Sequence, residues 1–453
     1  MNRRSFLKTA AAAVPVILAP KTLGFQAAAP SERVRVGLIG LGGRCRDIAA
    51  TCLKIPELQI AAVCDCFKPR VDELMRDVGE KEGWIPYTDF REMIEKEKLD
   101  GVMVETTTHA RAWVACSAMA MGMDTYIEKP MCLTIAEGRE MVNRARKYER
   151  ITQVGTQQRS IPLNNWASDL VKNGSLGKIK VVRAPNFVGP VLWEDKEGQP
   201  MPEGGSENWW DIWTNQAVMR PYHEDIRRAW SKWWDYDGGG LCFGVTGWGT
   251  HSYDQINRGI GMDETGPTEV ILQEAVADRP AGNFTTDRVP GPNETGAGYY
   301  GMTKDVVGPR AKVLMRYANG IELHLDLDAD FSPGLGAIFE CEKGTVEINR
   351  DMISASAPEL IESPDRPAAQ TVPETQPHIE NWVKGIKTRV RCTADIEFGQ
   401  RSSSLCYLVN IAREVGKVGE TLQWDPAAER FTNCDEGNAL LTRPRRERYE
   451  LPA

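Results

Sequence analysis

A lysine and a histidine are the residues of this sequence best suited to catalysis. Lys129 stands in Glu128-Lys129-Pro130 after a strand-like run, and His251 follows the glycine-rich stretches 238–240 and 247–249. An ammonium group can hold a substrate oxygen and stabilise negative charge that develops on it. An imidazole can take the proton of a hydroxyl group while the carbon loses a hydride. The pair predicts oxidation of an alcohol. A surface ion pair and a structural histidine are the alternatives when each motif is taken alone.

A glycine-rich turn upstream predicts a dinucleotide site. Gly40-Leu41-Gly42-Gly43-Arg44 follows an apolar run and opens a helical stretch, with Cys45 in the place of a third glycine. The first glycine permits a tight turn, and the second lets the backbone approach a pyrophosphate at the helix N-terminus. Asp65 ends the next strand, where a carboxylate can accept the ribose hydroxyls and would repel a 2′-phosphate. The predicted cofactor is therefore NAD, and Arg70 nearby keeps NADP as the lesser alternative.

Alternating strands and helices place these residues in one α/β domain, predicted over residues 33–155 as a Rossmann fold. The predicted strands are Val34–Ile39, Leu58–Cys64, Gly101–Val104, Asp124–Ile127 and Ile151–Val154. The predicted helices are a stretch that follows Gly43 and extends to Lys54, and the ranges Asp89–Lys96, Ala110–Met121 and Thr134–Tyr148. Ligands of open parallel sheets bind beyond the carboxyl ends of the strands, which places Lys129 where a nicotinamide should lie.

Residues 156–453 are predicted to form a second, α+β domain on a large, mostly antiparallel sheet. Helices are expected at Leu163–Lys172, His251–Gly259, Ile379–Ile386 and Phe398–Glu414. Strands are expected at Lys178–Phe187, Thr268–Val276, Ala311–Tyr317, Ile321–Leu327, Gly336–Glu342 and Thr345–Ile348. The segments Gly189–Gly240 and Ala355–Pro377 are predicted to be loops. A broad sheet face must be covered or polar, so a homo-oligomer is expected.

Composition excludes some functions. The chain has 453 residues and a formal net charge of −8, without a long run of like charge, which argues against sequence-independent nucleic-acid binding. The C-terminal arginines Arg443, Arg445, Arg446 and Arg448 are interrupted by Pro444 and Glu447 and are interpreted as a solvated tail. The 11 cysteines are interpreted as small core residues without assigned disulfides. No Cys or His pairs lie at zinc spacing, so no metal site is predicted.

The first residues predict export. Arg3-Arg4-Ser5-Phe6 precedes an apolar run from Thr9 to Pro20 and the small residues Ala27–Ala29. This pattern is typical of a twin-arginine signal over residues 1–30, and the apolar run is too short to span a bilayer comfortably. No membrane span is expected in the mature protein. Such proteins are carried folded, so a needed dinucleotide would have to be loaded before export and held tightly.

At this point the motifs resemble a known family. GLGGR at Gly40–Arg44, ETTTH at Glu105–His109, YIEKP at Tyr126–Pro130, VGTQQR at Val154–Arg159 and GWGTHSYD at Gly247–Asp254 are similar to the glucose–fructose oxidoreductase / inositol dehydrogenase (Gfo/Idh/MocA) family, in its exported branch. The resemblance extends over nearly all of Val34–Leu451. It implies NAD(P)-linked oxidation of a sugar or polyol hydroxyl, with Lys129 binding substrate and His251 as acid/base.

The resemblance also suggests further site residues. Thr106, His109 and Glu128 would join the glycine turn and Asp65 in binding the cofactor. Arg159 and Trp248 would join Lys129 and His251 at the substrate.

Two positions depart from the family pattern. Gly247 stands where the family's dehydrogenases usually carry an aspartate one turn before the catalytic histidine, and Thr107 replaces a usual proline. A carboxylate that would orient substrate is therefore missing. This leaves three alternatives open: an NAD-linked sugar or polyol dehydrogenase, an NAD-dependent glycosidase that oxidises its substrate only transiently, and a non-catalytic binding protein.

Tryptophan is concentrated in one part of the chain. Of the 13 tryptophans, a majority lie between Trp193 and Trp248. Aromatic rings can stack on the apolar face of a pyranose, whereas packing in the core or between subunits is the alternative for most of them.

Overall fold

The computed structural model describes residues 32–240, 243–280, 307–328, 334–368, 370 and 372–452. The predicted export signal, residues 1–30, lies outside the described residues. Within them the chain builds two sheets, one parallel and one mostly antiparallel.

The first sheet is parallel, and its strands lie in the order β3-β2-β1-β4-β5-β6. They are β1 Val34–Ile39, β2 Leu58–Cys64, β3 Ile85–Tyr87, β4 Gly101–Val104, β5 Asp124–Ile127 and β6 Thr152–Val154. This order reverses direction between β1 and β4, which opens a crevice at the carboxyl edge of the sheet. The predicted Rossmann fold is confirmed.

Helices connect these strands. They are α1 Gly43–Cys52, α2 Lys68–Leu74, α3 Glu80–Glu82, α4 Phe90–Lys96, α5 Thr108–Ala120 and α6 Ile135–Lys147. The stretch between Asp65 and Asp89, for which the sequence predicted no element, forms α2, α3 and β3. Strand β3 has only three residues, two of them exposed, and therefore lacks the apolar run that marks its neighbours.

The second sheet is mostly antiparallel, with one parallel pair between β7 and β12. The strands of the second half of the chain are β7 Ile179–Pro185, β8 Glu269–Leu272, β9 Ala277–Pro280, β10 Val307–Arg310, β11 Val313–Arg316, β12 Glu322–Leu327, β13 Ala337–Cys341, β14 Gly344–Asn349, β15 Met352–Ala355, β16 Thr421–Asp425 and β17 Arg430–Phe431. All belong to this sheet except β9 and β10, which pair with each other. The predicted antiparallel architecture is confirmed.

The remaining helices of the described chain are α7 Pro162–Lys172, α8 Trp209–Thr214, α9 Glu224–Arg228, α10 Trp248–Ile260, α11 Thr375–Thr388, α12 Ile396–Val415 and α13 Asp435–Ala439.

The two faces of the antiparallel sheet differ in what covers them. Helices α7, α10 and α12 pack on one face, where Val182, Leu323 and Phe339 are fully buried. Side chains alternate along strands, so Arg183 points to the other face, where it pairs with Asp326 and Glu340. The second face is thus charged.

Helix α11 crosses from the second half of the chain into the core of the first sheet. Ile379, Trp382 and Val383 are fully buried there with residues of β1 and α1, such as Val36 and Ile48. The first sheet therefore depends on a segment more than two hundred residues away in the chain.

The tryptophan-rich stretch is more ordered than predicted. We call residues 189–240 the aromatic segment; it contains α8 and α9 and buries its own cluster of rings. Trp209 lies 4.5 Å, between ring centroids, from Phe67 of the parallel-sheet domain. Trp210 stacks on Trp213 at 4.7 Å. Core packing thus accounts for most of these tryptophans.

The expectation of a solvated C-terminal tail is wrong. Arg446 donates hydrogen bonds to Asp211 and Asn215 of the aromatic segment, with N···O distances of 2.5 to 2.9 Å. Arg443 lies 4.4 Å from the ring of Trp234, and Arg445 pairs with Glu137. Carboxylates of distant residues and a ring face hold these arginines, and sequence spacing could not reveal those partners.

Two further features concern the described residues as a set. No described helix is long and apolar enough to cross a membrane. The described cysteines are all free thiols, and all except Cys66 are buried, as a core role predicts.

Candidate active site

A cavity of about 530 Å³ lies between the carboxyl edge of the parallel sheet and the aromatic segment. The sheet side includes Gly40, Asp65, Thr106 and Lys129. The aromatic segment contributes Trp209, Ile212, Trp213, Asn215, Arg227, Arg228, Trp230, Ser231, Asp237 and Gly240. The volume falls within the range of cofactor and small-ligand sites.

The glycine turn forms one wall. Gly40 has a φ of +90°, and a Cβ there would lie 2.8 Å from the backbone of Thr106, so only glycine fits. A Cβ on Gly42 would meet only Arg70, at 3.7 Å, and one on Gly43 would meet nothing within 4 Å. No described side chain caps the N-terminus of α1, so its first N–H groups remain available to an anion. The turn is therefore a cradle with open space in front of it.

Asp65 braces this turn. Its Oδ2 accepts a hydrogen bond from the Leu41 N–H at 2.8 Å, and its Oδ1 accepts one from the Phe67 N–H at 2.9 Å. The Leu41 side chain itself is fully buried. Burial raises the pKa of Asp65, although the two N–H donors oppose the shift. A carboxylate has about four acceptor positions, so Asp65 keeps capacity for ribose hydroxyls.

A second carboxylate, Glu128, lies at the other end of the turn. Its Oε1 accepts from Arg44 Nε at 2.9 Å and from Gln157 at 3.2 Å, and its Oε2 accepts from the Lys129 N–H at 3.0 Å. Gly155 makes room for it, because a Cβ there would lie 2.9 Å from the Glu128 carboxyl. Burial disfavours the charged form, but the positive charges of Arg44 and Lys129 outweigh it and keep the pKa of Glu128 below its ordinary value.

Glu105 contrasts with Glu128. It is 8 % exposed and lines the cavity, and neither carboxyl oxygen has a hydrogen-bond partner in the described structure. Burial and the charge of Glu128 raise its pKa well above the ordinary value. The cavity thus holds two carboxyl groups whose pKa values are shifted in opposite directions. The orphaned oxygens of Glu105 and the open cradle at Gly42 fit a polar ligand such as a dinucleotide.

Lys129 lines the same cavity. Its Nζ donates a hydrogen bond to the Gly247 carbonyl at 3.3 Å, which joins the carboxyl edge of the parallel sheet to the loop before α10. Burial lowers the pKa of Lys129, and the negative charges of Glu128 and Asp237 oppose that shift.

His251 lies in the first turns of α10 and is 6 % exposed. Its Nδ1 has no hydrogen-bond partner in the described structure. Burial, together with the positive charges of Arg350 and Lys129, holds its pKa well below the ordinary value, so the ring is neutral and can accept a proton. His251 is not among the residues that line the 530 Å³ cavity.

Besides His251 and the buried Leu41, three further residues expected at the site lie outside this cavity. His109 Nε2 donates to the Trp213 carbonyl at 2.7 Å, and burial lowers its pKa to about 4, so it holds the aromatic segment as a neutral ring. Arg159 pairs with Asp254 at 2.8 Å and with Asp263 at 2.6 Å, and it is buried.

Trp248, the third of these residues, packs on Phe243 with 4.0 Å between ring centroids. These contacts disfavour the cofactor role of His109 and the substrate roles of Arg159 and Trp248.

The structure adds residues that sequence reasoning missed. Glu105, Arg111 and Asp237 all line the cavity and are at least nine-tenths buried. Arg111 donates to the Pro130 carbonyl at 2.6 Å and to Thr108 Oγ1 at 3.0 Å. The available signal for Asp237 was its place directly before the triple glycine, which by itself does not distinguish a turn from a site.

Comparisons with known proteins agree with this geometry. A family model described as an oxidoreductase family with an NAD-binding Rossmann fold matches residues 34–156. A second, described as the C-terminal alpha/beta domain of an oxidoreductase family, matches residues 165–286 and 294–451. Both carry the Gfo/Idh/MocA designation.

Two curated relatives match part of the chain. Myo-inositol 2-dehydrogenase of Thermotoga maritima is 31% identical over 153 residues, which is 33% of this chain and 44% of that protein. A glycosyl hydrolase family 109 protein of Saccharopolyspora erythraea is 30% identical over 173 residues, or 33% of this chain and 38% of that protein. The matches thus span less than half the length of these relatives.

Solved structures extend the likeness of fold over most of the chain. The WlbA dehydrogenase from Bordetella pertussis, in complex with NADH and UDP-GlcNAcA, has a TM-score of 0.57 at 15% identity and covers 87% of this chain and 99% of its own. Myo-inositol 2-dehydrogenase from Lactobacillus plantarum has a TM-score of 0.55 at 15% identity and covers 86% of this chain and 99% of its own.

Proposed function

Since the chain belongs to the Gfo/Idh/MocA oxidoreductase family with an NAD-binding Rossmann fold, we propose that it is an NAD-dependent oxidoreductase acting on a hydroxyl group of a sugar, polyol or glycoside. One observation carries the proposal: Lys129 and the glycine cradle line the same cavity. A substrate oxygen held by Lys129 would therefore lie beside the dinucleotide.

The cradle would hold NAD through the chain's own groups. The first N–H groups of α1 would bind the pyrophosphate, and Asp65 would accept the ribose hydroxyls and disfavour NADP. Thr106 and Glu128 lie along the same edge and would contact the rest of the cofactor. The nicotinamide, when bound, supplies the hydride acceptor.

Lys129 and His251 have separate catalytic roles in this proposal. The ammonium of Lys129 donates to the substrate oxygen and stabilises negative charge on it. His251 is neutral and its Nδ1 has no partner in the described structure. Because His251 does not line the cavity, it would accept the hydroxyl proton through an intervening water.

The test of this assignment is Lys129→Ala. We expect turnover of hexoses or cyclitols to fall by about 10²- to 10⁴-fold, because the substrate oxygen loses its charged partner. NADH binding, measured through fluorescence, should be unchanged. Lys54→Ala, a change at an exposed lysine, is the control and should leave both measurements unaltered. Full activity of Lys129→Ala would rule out the catalytic assignment.

A second function, redox-neutral cleavage of a glycoside, is favoured by the covered cavity. In such a cycle a sugar hydroxyl is oxidised to a ketone, the aglycone is eliminated, water adds to the resulting double bond and the ketone is reduced again. The hydride removed in the first step is returned in the last, so a captive NAD suffices. Incubation of the purified protein with aryl glycosides, without added NAD, tests it. Aglycone release without NADH accumulation supports cleavage, whereas NADH formation that needs added NAD supports the dehydrogenase.

We also propose that residues 1–30 direct export by the twin-arginine route, that the boundary between the two domains lies near residue 155, and that the protein forms a homo-oligomer. Export is tested by Arg3→Lys combined with Arg4→Lys, which should keep the full chain in the cytoplasmic fraction. If the doubly substituted chain fractionated as wild type does, export by the twin-arginine route would be contradicted.

Light scattering measures the oligomeric state of the purified protein, and a monomeric mass would exclude the homo-oligomer.

A further inference from the structure

Asp237 is a buried carboxylate that the aromatic segment contributes to the cavity. It lies near the end of that segment, is fully shielded from bulk solvent and lines the cavity together with Lys129 and Arg111. No role follows for it from the glycine turn or from the family motifs. A buried charge is costly unless other groups compensate it, so its presence needs an explanation.

Two threonines hold this carboxylate in place. Thr108 Oγ1 donates to Asp237 Oδ2 at 2.6 Å, and Thr246 Oγ1 donates to Oδ1. A carboxylate accepts about four hydrogen bonds, so about two positions remain open. The glycine at position 240 leaves room for this side chain, because a Cβ there would lie 2.7 Å from the Asp237 carboxylate. The side chain is therefore fixed without being saturated.

Among the described residues of the loop before α10, Lys129 has no carboxylate partner. Its Nζ donates there to the Gly247 carbonyl, at 3.3 Å. The charged groups that act on Lys129 are Glu128, Arg111, Arg44 and Asp237. Of the two carboxylates, Glu128 is already bonded to Arg44, Gln157 and the Lys129 N–H. Asp237 accepts only two hydrogen bonds from the described residues and thus keeps more acceptor capacity than Glu128.

We infer that Asp237 is a substrate-binding residue of the cavity that Lys129 also lines. It accepts a hydrogen bond from a second hydroxyl of the substrate whose first oxygen is held by Lys129. The site then selects polyhydroxylated substrates over simple alcohols, since an unpaired buried carboxylate rejects a ligand without the second hydroxyl. This inference rests on the proposed oxidoreductase function.

Asp237→Asn is the first test, measured in the full chain with myo-inositol and D-glucose as polyol probes and cyclohexanol as the simple alcohol. We expect kcat/KM for the reactive polyol to fall about ten- to hundredfold, the effect of losing a hydrogen bond to a charged group. NADH affinity should be unchanged. Asp235→Asn, which removes the partner of Arg220 in the same segment, is the matched control and should retain wild-type kcat/KM.

A second readout does not need turnover. Acylation of the Lys129 amine by acetic anhydride, followed by peptide mass spectrometry over a pH series, reports when this amine loses its proton. Without the negative charge of Asp237 the pKa of Lys129 falls further, so labelling in Asp237→Asn should begin at lower pH than in wild type. A residue that only supports the fold would not move this profile while NADH binding stays intact.

A compensating variant protects the test against misfolding. Gly247 has a φ of −78° and a ψ of −94°, and its carbonyl accepts from Lys129 Nζ, so Gly247→Asp, after a small adjustment of ψ, places a carboxylate near that amine. In the Asp237→Asn background it should restore part of kcat/KM and return the labelling profile towards wild type. If Asp237→Asn does not fold, Gly247→Asp in the wild-type background should still shift Lys129 labelling to higher pH.

The outcomes separate the inference from the function it rests on. A wild-type protein that neither binds NADH nor oxidises polyols would overturn the proposed function, and the labelling profile would still report on Asp237. Unaltered kcat/KM and unaltered labelling in a folded Asp237→Asn protein would overturn the inference alone. Equal loss of activity towards the polyols and cyclohexanol would also overturn it.

Discussion

At the scale of single residues, the surroundings in the cavity shift the pKa values of two neighbouring glutamates in opposite directions. Glu128 accepts hydrogen bonds from Arg44, Gln157 and the Lys129 N–H, whereas the oxygens of Glu105 have no partner in the described structure. Burial and the neighbouring charge therefore raise the pKa of Glu105 well above 4.5, while that of Glu128 is lowered. Burial thus favours the protonated form of Glu105, which can donate one hydrogen bond into the cavity.

This state predicts how stability depends on pH. The unfolded chain ionises Glu105 near pH 4.5, and the folded protein does so only at higher pH, so the folded state binds the extra proton in between. Stability contributed at this position is therefore lost as pH rises above the unfolded pKa, by up to about 1.4 kcal/mol per pH unit.

Glu105→Gln, which cannot ionise, should avoid that loss. Its melting temperature in the cofactor-free protein, relative to wild type, should rise between pH 5 and pH 8. Glu95→Gln at an exposed position is the control and should show no such trend. If the difference in melting temperature between Glu105→Gln and wild type did not change with pH, the raised pKa of Glu105 would be excluded.

At the scale of elements, the nucleotide-binding sheet is completed by a helix from the other half of the chain. Trp382 of α11 is fully buried, and its ring occupies the space beside Gly101, where a Cβ would lie 3.0 Å away. Tyr126 of β5 packs against it with 6.0 Å between ring centroids. The helix therefore stabilises the sheet that carries Lys129.

Trp382→Ala should destabilise the protein by about 3–5 kcal/mol, because it leaves a large cavity among packed side chains. Guanidinium unfolding followed by circular dichroism measures the change. Val390→Ala, at a side chain that is 62% exposed, should cost less than about 0.5 kcal/mol. If Trp382→Ala and Val390→Ala cost the same, α11 would not be part of this core.

At the scale of the whole molecule, the aromatic segment covers the cavity and the C-terminus secures the segment. Trp209 and Arg227 both lie against Phe67, at 4.5 Å and 5.3 Å from its ring. On the far side, Arg446 and Tyr449 both bind Asp211, at 2.5 Å and 2.6 Å. Release of a bound dinucleotide would therefore require these contacts to loosen.

Arg446→Ala should release NAD faster, because the aromatic segment loses the bonds of Arg446 to Asp211 and Asn215. We expect the dissociation rate of NADH to rise about tenfold, equivalent to about 1.4 kcal/mol. Stopped-flow fluorescence with excess NAD as competitor measures this rate. Arg430→Ala, at an exposed arginine, is the control. An unchanged rate in Arg446→Ala would mean that the covering segment does not retain the cofactor.

Local pattern was sufficient for much of the fold. Strands β1, β2, β4 and β5 begin and end where the sequence predicts, because buried parallel strands are continuous apolar runs bounded by polar or glycine residues. The Gly40 turn, Asp65 and Lys129 were predictable for a related reason. Each follows such a strand directly, and the carboxyl ends of parallel strands meet at one edge.

The tertiary structure decided the rest, since it depends on pairs of side chains far apart in the chain. His109 binds the Trp213 carbonyl, Arg159 pairs with Asp254, and Arg446 binds Asp211. A histidine or arginine has the same local pattern whether it meets a ligand or a buried partner of its own chain. Asp237 is the converse case, because only folding brings its carboxylate to the cavity that Lys129 lines. Sequence alone thus determines where strands end, while burial and distant partners determine which side chains remain free to bind substrate.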